Sequence, residues 1–372
     1  MRDQLSRKFL ECSPARFRPF GSGWGTGQVR RRRWIRPSLA LPARTRNNQD
    51  GTLMISTRTK RTSLVALAGV GLLALAGCAG TAADETADSA GGNDWPDTLT
   101  FAQIPSESAT SIAESNAPII DALEQELGLT IEMQEATSYA AVIEALRAGQ
   151  VDIGSMGPFS YVVAADSGAG VVPVGALADS PDEAASYRSY GIVPAGSDIT
   201  SLADFAGKNV CFVDQTSTSG FLFPSAGLLE EGIDPTSDVE AVFAGGHDAS
   251  ALSVADGTCD AGFAFDTMVT HELIGSGQLE EGALEVVWES EDIPNSPTVV
   301  SDQLPQDLQD EITRVFQEQI NKPALVEMGI CDSEEDCELP EESAYGFIAV
   351  EDSLYDGIRA VCDITESESC VA

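Results

Sequence analysis

Four consecutive hydroxyl side chains, at Thr216, Ser217, Thr218 and Ser219, form the segment of this sequence best suited to chemistry. They stand between Asp214 and Gly220, after an apolar run that predicts a strand and before a pattern that predicts a helix. Hydroxyl and backbone N–H groups that converge at a helix start, where the helix dipole is positive, suit an oxyanion without Lys or Arg. A P-loop is excluded because the Gly-Lys-Ser/Thr ending is missing. An ordinary helix cap, which needs only one hydroxyl, is the alternative.

A second candidate follows another predicted strand, at Gly245 to Ala249. His247 can hydrogen-bond an anion there, and Asp248 can cap the next helix; a surface or internally satisfied His is the alternative. Because Ser, His and Asp are all present, an exported hydrolase is also considered. The chain lacks the Gly-x-Ser-x-Gly motif, and His247 and Asp248 on one turn cannot adopt the usual triad geometry, so an enzyme is not expected. His271 is expected in mid-helix with a structural role.

Three further side chains are placed to reach the same ligand. Tyr139 begins a predicted helix after a strand, and Tyr161 lies in the first helical turn after Gly157 and Pro158. Both can direct phenol donors into a cleft, although either alone is also compatible with packing. Asp266 follows a predicted strand and can accept a hydrogen bond from a protonated ligand oxygen or an amine. A solvated loop carboxylate is the alternative for this position.

These residues are carried by two successive series of predicted strands and helices. The first series alternates strands and helices between residues 99 and 177, and the second does so between 208 and 265. Such alternation predicts an α/β fold with parallel, doubly wound sheets. A cleft between two sheets would bring strand ends and helix starts together, which is where ligands bind in such folds. The chain then closes with a predicted helix over 308–320.

The cysteines favour disulfides over a metal. Without Cys12 and Cys78, six cysteines remain, an even number that is typical of exported proteins. Zinc is disfavoured because there is no Cys-x-x-Cys and there are only two histidines, and no cofactor is expected. Cys211 and Cys259 stand at the beginning of strands that commonly neighbour one another, which predicts a disulfide between them. The pairs 331–337 and 362–370 are the simplest remaining closures.

Charge excludes two classes of function. The chain has 21 basic and 59 acidic residues. Residues 78–372 hold six of the basic and 56 of the acidic residues, so this part of the chain has a net charge of about −50. A nucleic-acid-binding module and a polybasic membrane-surface protein both need a basic face, so neither is expected.

The N-terminal region reads as a targeting signal. From Met54 to Gly77 a basic segment precedes a short apolar run, and the small residues before Cys78 resemble a bacterial lipobox. A plain signal peptide or a buried helix is the alternative. We expect acylation of Cys78, a flexible tether over 78–96, and a location outside the cytoplasm, anchored to the cell membrane.

Residues 1–53 fit no later pattern. Their arginine run is compatible with a nucleic-acid arm, but an untranslated extension ahead of a start at Met54 is favoured.

Several of these segments together resemble one family. Tyr139 to Leu146, Asp152 to Tyr161, Ser217 to Pro224 and Gly246 to Ala249 are similar, in collinear order, to the phosphonate- and phosphite-binding lipoproteins of ABC importers. The resemblance runs from about 98 to 325, and its motifs are specific only in combination. It implies a two-lobed type II periplasmic-binding-protein fold, with two doubly wound sheets and the ligand cleft between them.

The resemblance also implies the ligand, its contacts and its partners. A phosphonate, phosphite or related phosphorus oxyanion would be held by Tyr139, Tyr161, Ser217, Thr218, Ser219 and His247, and less securely by Asp266. The permease and ATPase of an importer would be the partners. Lobe 1 is expected over 97–191 plus 297–372 and lobe 2 over 192–296. Asn295 and Ser296 stand where some aminophosphonate binders carry an acid, which disfavours an amine-bearing ligand; a sulfonate remains an alternative.

Overall fold

The computed structural model describes residues 95–182, 185–340 and 344–370. The expected extension over 1–53, the signal segment over 54–77 and Cys78 lie outside the described residues, as does the tether except for its last two residues. Within the described part of the chain, no helix is long and apolar enough to cross a membrane.

The described residues alternate between strands and helices along most of their length. The strands are β1 (Thr98–Gln103), β2 (Thr130–Gln134), β3 (Ile153–Ser155), β4 (Val171–Ala178), β5 (Ser186–Tyr187), β6 (Ser189–Pro194), β7 (Asn209–Phe212), β8 (Glu240–Phe243), β9 (Ala261–Phe265), β10 (Leu284–Glu289), β11 (Ile293–Pro294), β12 (Pro297–Ser301) and β13 (Gly346–Ile348). The helices are α1 (Ala109–Leu127), α2 (Tyr139–Arg147), α3 (Pro158–Asp166), α4 (Phe223–Glu230), α5 (His247–Ala255), α6 (Leu273–Gly275), α7 (Gln306–Arg314), α8 (Lys322–Glu327) and α9 (Asp356–Thr365). Wider π-helical turns at Thr218–Leu222 and Met268–Glu272 lead into α4 and α6, and one at Val315–Gln319 extends α7.

The first sheet has the strand order β13-β4-β12-β3-β1-β2. Strands β1, β2 and β3 are parallel, as the alternation of strands and helices predicted. Strand β12 comes from much later in the chain and runs antiparallel between β3 and β4, pairing with both. The sheet is therefore mixed rather than wholly parallel, because the local pattern does not reveal a strand that returns from a distant segment.

The second sheet has the strand order β10-β6-β9-β7-β8. Strands β7, β8 and β9 are parallel. Strand β6 runs antiparallel to β9, and β10 runs antiparallel to β6 at the edge. The expected lobe boundary between residues 191 and 192 falls inside β6, which belongs wholly to this sheet. We refer to residues 98–178 with 297–348 as the first half and to residues 189–289 as the second half.

The chain passes between the halves twice, and the two passages lie side by side. Strand β5 leaves the first half and β11 returns to it, and they pair antiparallel with Ile293 opposite Tyr187. Helix α9 follows the first half in sequence and packs against both α3 and α4. The halves are thus joined by a two-stranded ribbon and by one helix that contacts both of them.

Each sheet is covered by apolar residues on both faces, as expected of a doubly wound sheet. Helix α1 illustrates how the sequence produces this packing. Ile119, Leu123 and Leu127 recur on one face and are buried against the first sheet. The Ser108 hydroxyl accepts a backbone N–H at the helix start, and Gly128, with φ of 68°, ends the helix in the left-handed conformation.

The six cysteines after the tether form three disulfides, paired as the sequence predicted. Cys211 and Cys259 are joined with their Cα atoms 5.9 Å apart. Cys211 lies inside β7 and Cys259 stands two residues before β9, so neither is placed at the start of its strand as expected. The shorter closures join Cys331 to Cys337 and Cys362 to Cys370. Among the residues of the three described ranges, no cluster of side chains could hold a metal ion.

Candidate functional site

A cavity of about 550 Å³ is lined by residues from both halves. Gln103, Ser155 and Phe265 stand at the carboxyl ends of β1, β3 and β9 and contribute to its wall. The carboxyl ends of strands are where ligands bind in open α/β sheets, because the following helices begin there. The cavity therefore lies where the sequence predicted a cleft.

The hydroxyl segment after β7 forms one wall of this cavity. Ser217, Thr218 and Ser219 are buried and all line it. The Ser217 Oγ caps the helical turn by accepting the backbone N–H of Gly220 at 3.1 Å. Gly220 is required because a Cβ there would lie 2.4 Å from the Val213 Cβ. The close approach of this turn to the end of β7 fixes the direction of the three hydroxyl-bearing residues.

Asp214 shapes the turn from the side of the strand. Its Oδ1 accepts hydrogen bonds from both the backbone N–H and the hydroxyl of Thr216, each at 2.9 Å. Such an Asx turn redirects the chain directly after a strand. Asp214 and Thr216 are thus used to build the turn, and neither lines the cavity.

His247, the first residue of α5, is buried in the same wall. Burial lowers the pKa of its imidazole to about 3, so the ring is neutral at physiological pH. Its Nδ1 accepts the backbone N–H of Phe265 at 3.2 Å, which leaves the proton on Nε2. The Nε2 lies 3.4 Å from the Ser217 Oγ. Ser217 therefore accepts from Gly220 and His247, and its own O–H is left to donate to the neighbouring Tyr139 phenol or into the cavity.

Tyr139 begins α2 and also lines the cavity. Its phenol oxygen is buried and makes no hydrogen bond to any described residue. Burial raises the pKa of the Tyr139 phenol far above its usual value, an effect that the nearby Ser217 hydroxyl partly offsets. The phenol is consequently a neutral donor. A buried polar group without a partner is costly, and a ligand oxygen in the cavity would satisfy it.

Four helical segments begin at the cavity wall. Tyr139, Thr218 and His247 are each the first residue of their helical segment, and Gly157 caps α3. Each helix start presents backbone N–H groups without partners inside the helix and a partial positive charge. Among the described residues that line the cavity there is no Lys or Arg. The positive potential available to an anion there comes from oriented N–H and O–H groups.

The two halves are held together at the edge of the cavity by direct hydrogen bonds. The Phe159 backbone N–H donates to the Thr218 Oγ1 at 2.8 Å, and the His247 backbone N–H donates to the Ser106 carbonyl oxygen at 2.7 Å. The Ser160 hydroxyl also donates to the Thr216 carbonyl oxygen at 3.2 Å. Thr218 thus joins the halves while lining the cavity, a second role that its sequence position did not indicate.

Tyr161, which the sequence predicted as a ligand contact, does not line the cavity. Its ring is buried against Tyr355, and its hydroxyl donates to the Asp352 Oδ1 at 2.8 Å. The direction of α3 turns this side chain toward the C-terminal segment. Position in the first helical turn predicted that the residue would be near the cavity, but it could not predict which way the side chain points.

Four carboxyl groups line the cavity, and the sequence singled out one of them. Asp266 directly follows β9, and its two oxygens accept the backbone N–H groups of Thr267 at 3.0 Å and Arg188 at 3.2 Å. Burial raises the pKa of the Asp266 carboxyl. Sequence reasoning did not place the titratable residues Glu107, Asp179, Tyr187, His271 and Glu272 in the cavity wall, where they lie. Asn295 and Ser296, noted in the sequence, line the cavity as well.

Comparison with known proteins yields both relatives and structural neighbours. A family model for the periplasmic phosphonate substrate-binding protein of ABC transporters matches residues 101–330. The phosphate-import protein PhnD of Mycolicibacterium smegmatis is 43% identical over 313 residues, which cover 82% of this chain and 96% of that protein.

Two solved structures share the fold. One is a binding protein component of an ABC phosphonate transporter from Pseudomonas aeruginosa, with 22% identity, a TM-score of 0.63, and coverage of 73% of this chain and 87% of that chain. The other is PhnD1 from Prochlorococcus marinus in complex with methylphosphonate, with 19% identity, a TM-score of 0.62, and coverage of 73% and 99%. At these identities the likeness concerns the fold alone, and the expected type II periplasmic-binding-protein architecture is confirmed.

Proposed function

The chain belongs to the family of periplasmic phosphonate-binding proteins of ABC transporters, and on that premise we propose which ligand it binds and how. The ligand is a phosphorus oxyanion of the phosphonate, phosphite and phosphate class. The protein is the extracytoplasmic binding component of an importer, and it delivers the oxyanion to a permease driven by an ATPase. Members of the family are transport proteins, and we infer no enzymatic activity for this chain.

The observation that supports this ligand is the set of uncharged donors around the cavity. The Ser217 O–H is not used by Gly220 or His247, the Tyr139 phenol is unsatisfied, and the neutral His247 carries its proton on Nε2. Thr218 and Ser219 add hydroxyl groups and the N–H groups of a helix start. Hydrogen bonds from such groups to an anion contribute roughly 1.5–3 kcal/mol each, so a few of them suffice for tight binding without a cation.

Asp266 favours phosphorus over sulfur oxyanions. A phosphonate or phosphate monoanion retains an O–H that can donate to a carboxylate. A sulfonate has no such proton, so its oxygens would face the carboxylate as two acceptors without a donor between them, which is unfavourable. We therefore place Asp266 as the acceptor of the protonated ligand oxygen, and a sulfonate is the second candidate.

For the capture mechanism, we propose that the first and second halves are two lobes that close around the ligand. The lobes separate about the β5–β11 ribbon and close when the ligand bridges donors of both. The hydrogen bonds from Phe159 to Thr218 and from His247 to Ser106 form part of the closed contact. The permease would then recognise the closed form, whose population the ligand increases.

The hydrolase alternative fails on the protonation of His247. A general base for Ser217 needs a lone pair on Nε2, but Nδ1 accepts a backbone N–H and the proton is on Nε2. Among the described residues, no carboxylate orients the ring from the Nδ1 side, as a triad would require. Purified protein is expected to leave phosphate esters and carboxylate esters intact, and steady turnover of either would contradict the proposal.

Calorimetry with phosphite, phosphate, methylphosphonate and methanesulfonate tests the ligand class and the site together. The wild type is expected to bind at least one phosphorus oxyanion and to bind methanesulfonate at least tenfold more weakly. Ser217→Ala should weaken binding ten- to a hundredfold. Ser225→Ala is the matched control, because Ser225 is buried on α4, its hydroxyl makes no hydrogen bond to a described residue, and it does not line the cavity. Unchanged affinity in Ser217→Ala would show that the site is wrongly placed.

The membrane anchor is a separate proposal. We infer that the mature chain starts at Cys78 and carries the lipid there, a position outside the described residues. The intact mass of protein extracted from native membranes should equal that of a lipidated chain beginning at Cys78. Peptides from residues 1–53 in that preparation would contradict it.

A further inference from the structure

Glu107 is a carboxyl group at the contact between the halves. It follows β1, lines the cavity, and is preceded by Ser106, whose carbonyl oxygen accepts the backbone N–H of His247 at 2.7 Å. Asp248 directly follows His247. One contact between the halves therefore brings together two carboxyl groups, Glu107 from the first half and Asp248 from the second.

This environment opposes a negative charge on Glu107. Burial, and then the charge of Asp248, raise the pKa of the Glu107 carboxyl to about 7, against a smaller opposing effect of the Ser111 hydroxyl. His247 beside it is neutral and offers no compensating charge. The other titratable groups on the cavity wall are Tyr139, Asp179, Tyr187, Asp266, His271 and Glu272. No Lys or Arg stands among the described lining residues.

Asp248 belongs to the other half, and the cavity that Glu107 lines is formed by residues of both halves. Separation would return Glu107 to water and move Asp248 away, so the carboxyl would recover its ordinary pKa of 4.5. A bound oxyanion adds a further negative charge to the closed cavity and opposes ionisation of Glu107 more strongly.

We propose that Glu107 takes up a proton when the halves close on the oxyanion, so that the ligand is captured together with a proton and meets a neutral carboxyl group. The proton comes from solvent and returns to it when the halves separate. The inference rests on the proposed function, because it concerns the binding step of the same site. It makes Glu107 a determinant of affinity that depends on pH.

The sign of the effect follows from linkage. The closed form binds the extra proton between pH 4.5 and about 7, so lowering the pH through this window favours closure and tightens binding. With these two pKa values, the contribution of Glu107 to the association constant rises about tenfold from pH 8 to pH 6. Titration of the ligand itself adds to the pH dependence equally in wild type and in variants, and it cancels in their ratio.

Calorimetry with inorganic phosphate and with methylphosphonate at pH 6, 7 and 8 tests this on the purified protein. The ratio of wild-type to Glu107→Gln affinity should rise about tenfold from pH 8 to pH 6. Asp248→Asn should reduce that rise, because it removes a charge that raises the pKa of Glu107. Glu114→Gln, an exposed change on α1, should behave as wild type. A ratio that stays within twofold across this range overturns the inference.

A measurement on the wild type keeps the inference testable if Glu107→Gln does not fold. Carbon-detected NMR of the glutamate carboxyl groups should show one group titrating near pH 7 in protein saturated with methylphosphonate and near 4.5 without it. Absence of a group titrating above pH 6 in the saturated protein overturns the inference. If the wild type binds neither probe at any pH, the proposed function itself fails, an outcome distinct from binding with a constant ratio.

Discussion

At the scale of single residues, substitutions of two buried tyrosines allow effects on ligand affinity to be distinguished from effects on folding stability. Tyr139→Phe removes a phenol that makes no hydrogen bond to any described residue, so the free energy of unfolding should stay equal or rise. The same change removes a donor to the ligand and should weaken binding ten- to a hundredfold. Thermal unfolding and calorimetry on the one variant measure both effects.

Tyr161→Phe is the matched control for this prediction. It removes the hydrogen bond to Asp352, so it should lower the free energy of unfolding by about 1 kcal/mol and leave affinity within twofold. If Tyr161→Phe weakens binding as strongly as Tyr139→Phe, the assignment of the two phenols is wrong.

The neutral ring of His247 predicts a pH dependence of stability. Its pKa is lowered to about 3 in the folded protein, against 6.5 when exposed, so the unfolded state binds more protons between these values. Stability from this residue is complete above pH 6.5 and falls by up to roughly 1.4 kcal/mol for each pH unit below it. Urea unfolding of wild type and His247→Gln from pH 7 to pH 5 should show this slope in the difference between their free energies of unfolding. Parallel pH profiles would contradict a buried neutral ring.

The cavity-lining residues could be predicted where the local sequence determines their position. They could not be predicted where tertiary contacts determine it. Ser217, Tyr139 and His247 stand at helix starts after strands, a local arrangement that the sequence displays. Glu107 reaches the site because the loop after β1 meets a loop of the other half, which no local pattern reveals. His271 was expected in a regular helix, but it lies in a π-helical turn whose wider hydrogen bonding changes which side chains face the cavity.

At the scale of elements, the disulfides should contribute to stability in the order of the loops that they close. Cys211–Cys259 spans 48 residues and Cys362–Cys370 spans 8. Loop entropy alone gives about 4 kcal/mol for the first and about 2.5 kcal/mol for the second. Denaturant unfolding of the two double Cys→Ala variants should therefore show the larger loss for Cys211 and Cys259. The reverse order would mean that constraint of the unfolded chain is not the main contribution.

The boundaries of most elements follow from the sequence, whereas the order of strands in the first sheet does not. Strands β1 to β4 and helices α1 to α3 occupy the segment, about 99–177, in which the sequence predicted alternating strands and helices, because apolar periodicity and glycine stops define such elements. The antiparallel insertion of β12 depends on the return of the chain from the second half. Pairing between distant segments leaves no periodic signature, so a parallel sheet was the simplest expectation.

At the scale of the whole molecule, charge should slow the approach of an anion without weakening its final contacts. Residues 78–372 carry a net charge of about −50. The basic residues Arg147, Arg188, Arg314 and Arg359 are paired with carboxylates and do not line the cavity. Salt screens the repulsive field beyond about 8–10 Å at physiological ionic strength.

Association of methylphosphonate should therefore speed up several-fold as NaCl is raised from a few millimolar to about 150 mM, while dissociation changes little. Stopped-flow measurements of both rates provide the test. The same salt dependence of association is expected in Ser217→Ala, which alters a contact and leaves the net charge unchanged. Association that slows with salt would indicate a local positive field that the described residues do not provide.

The insertion of β12 between β3 and β4 also has a consequence for the order in which the protein acquires structure. A chain that emerges from a ribosome or a membrane channel presents its N-terminal side first. All five strands of the second sheet lie within residues 189–289, so that sheet can assemble before residue 297 appears. The first sheet begins earlier in the sequence but lacks an interior strand until Pro297–Ser301 arrives, and it lacks an edge strand until Gly346–Ile348 does. The half that is synthesised second is thus the first that can be completed, and β1 to β4 must wait with their apolar faces incompletely covered until the chain returns.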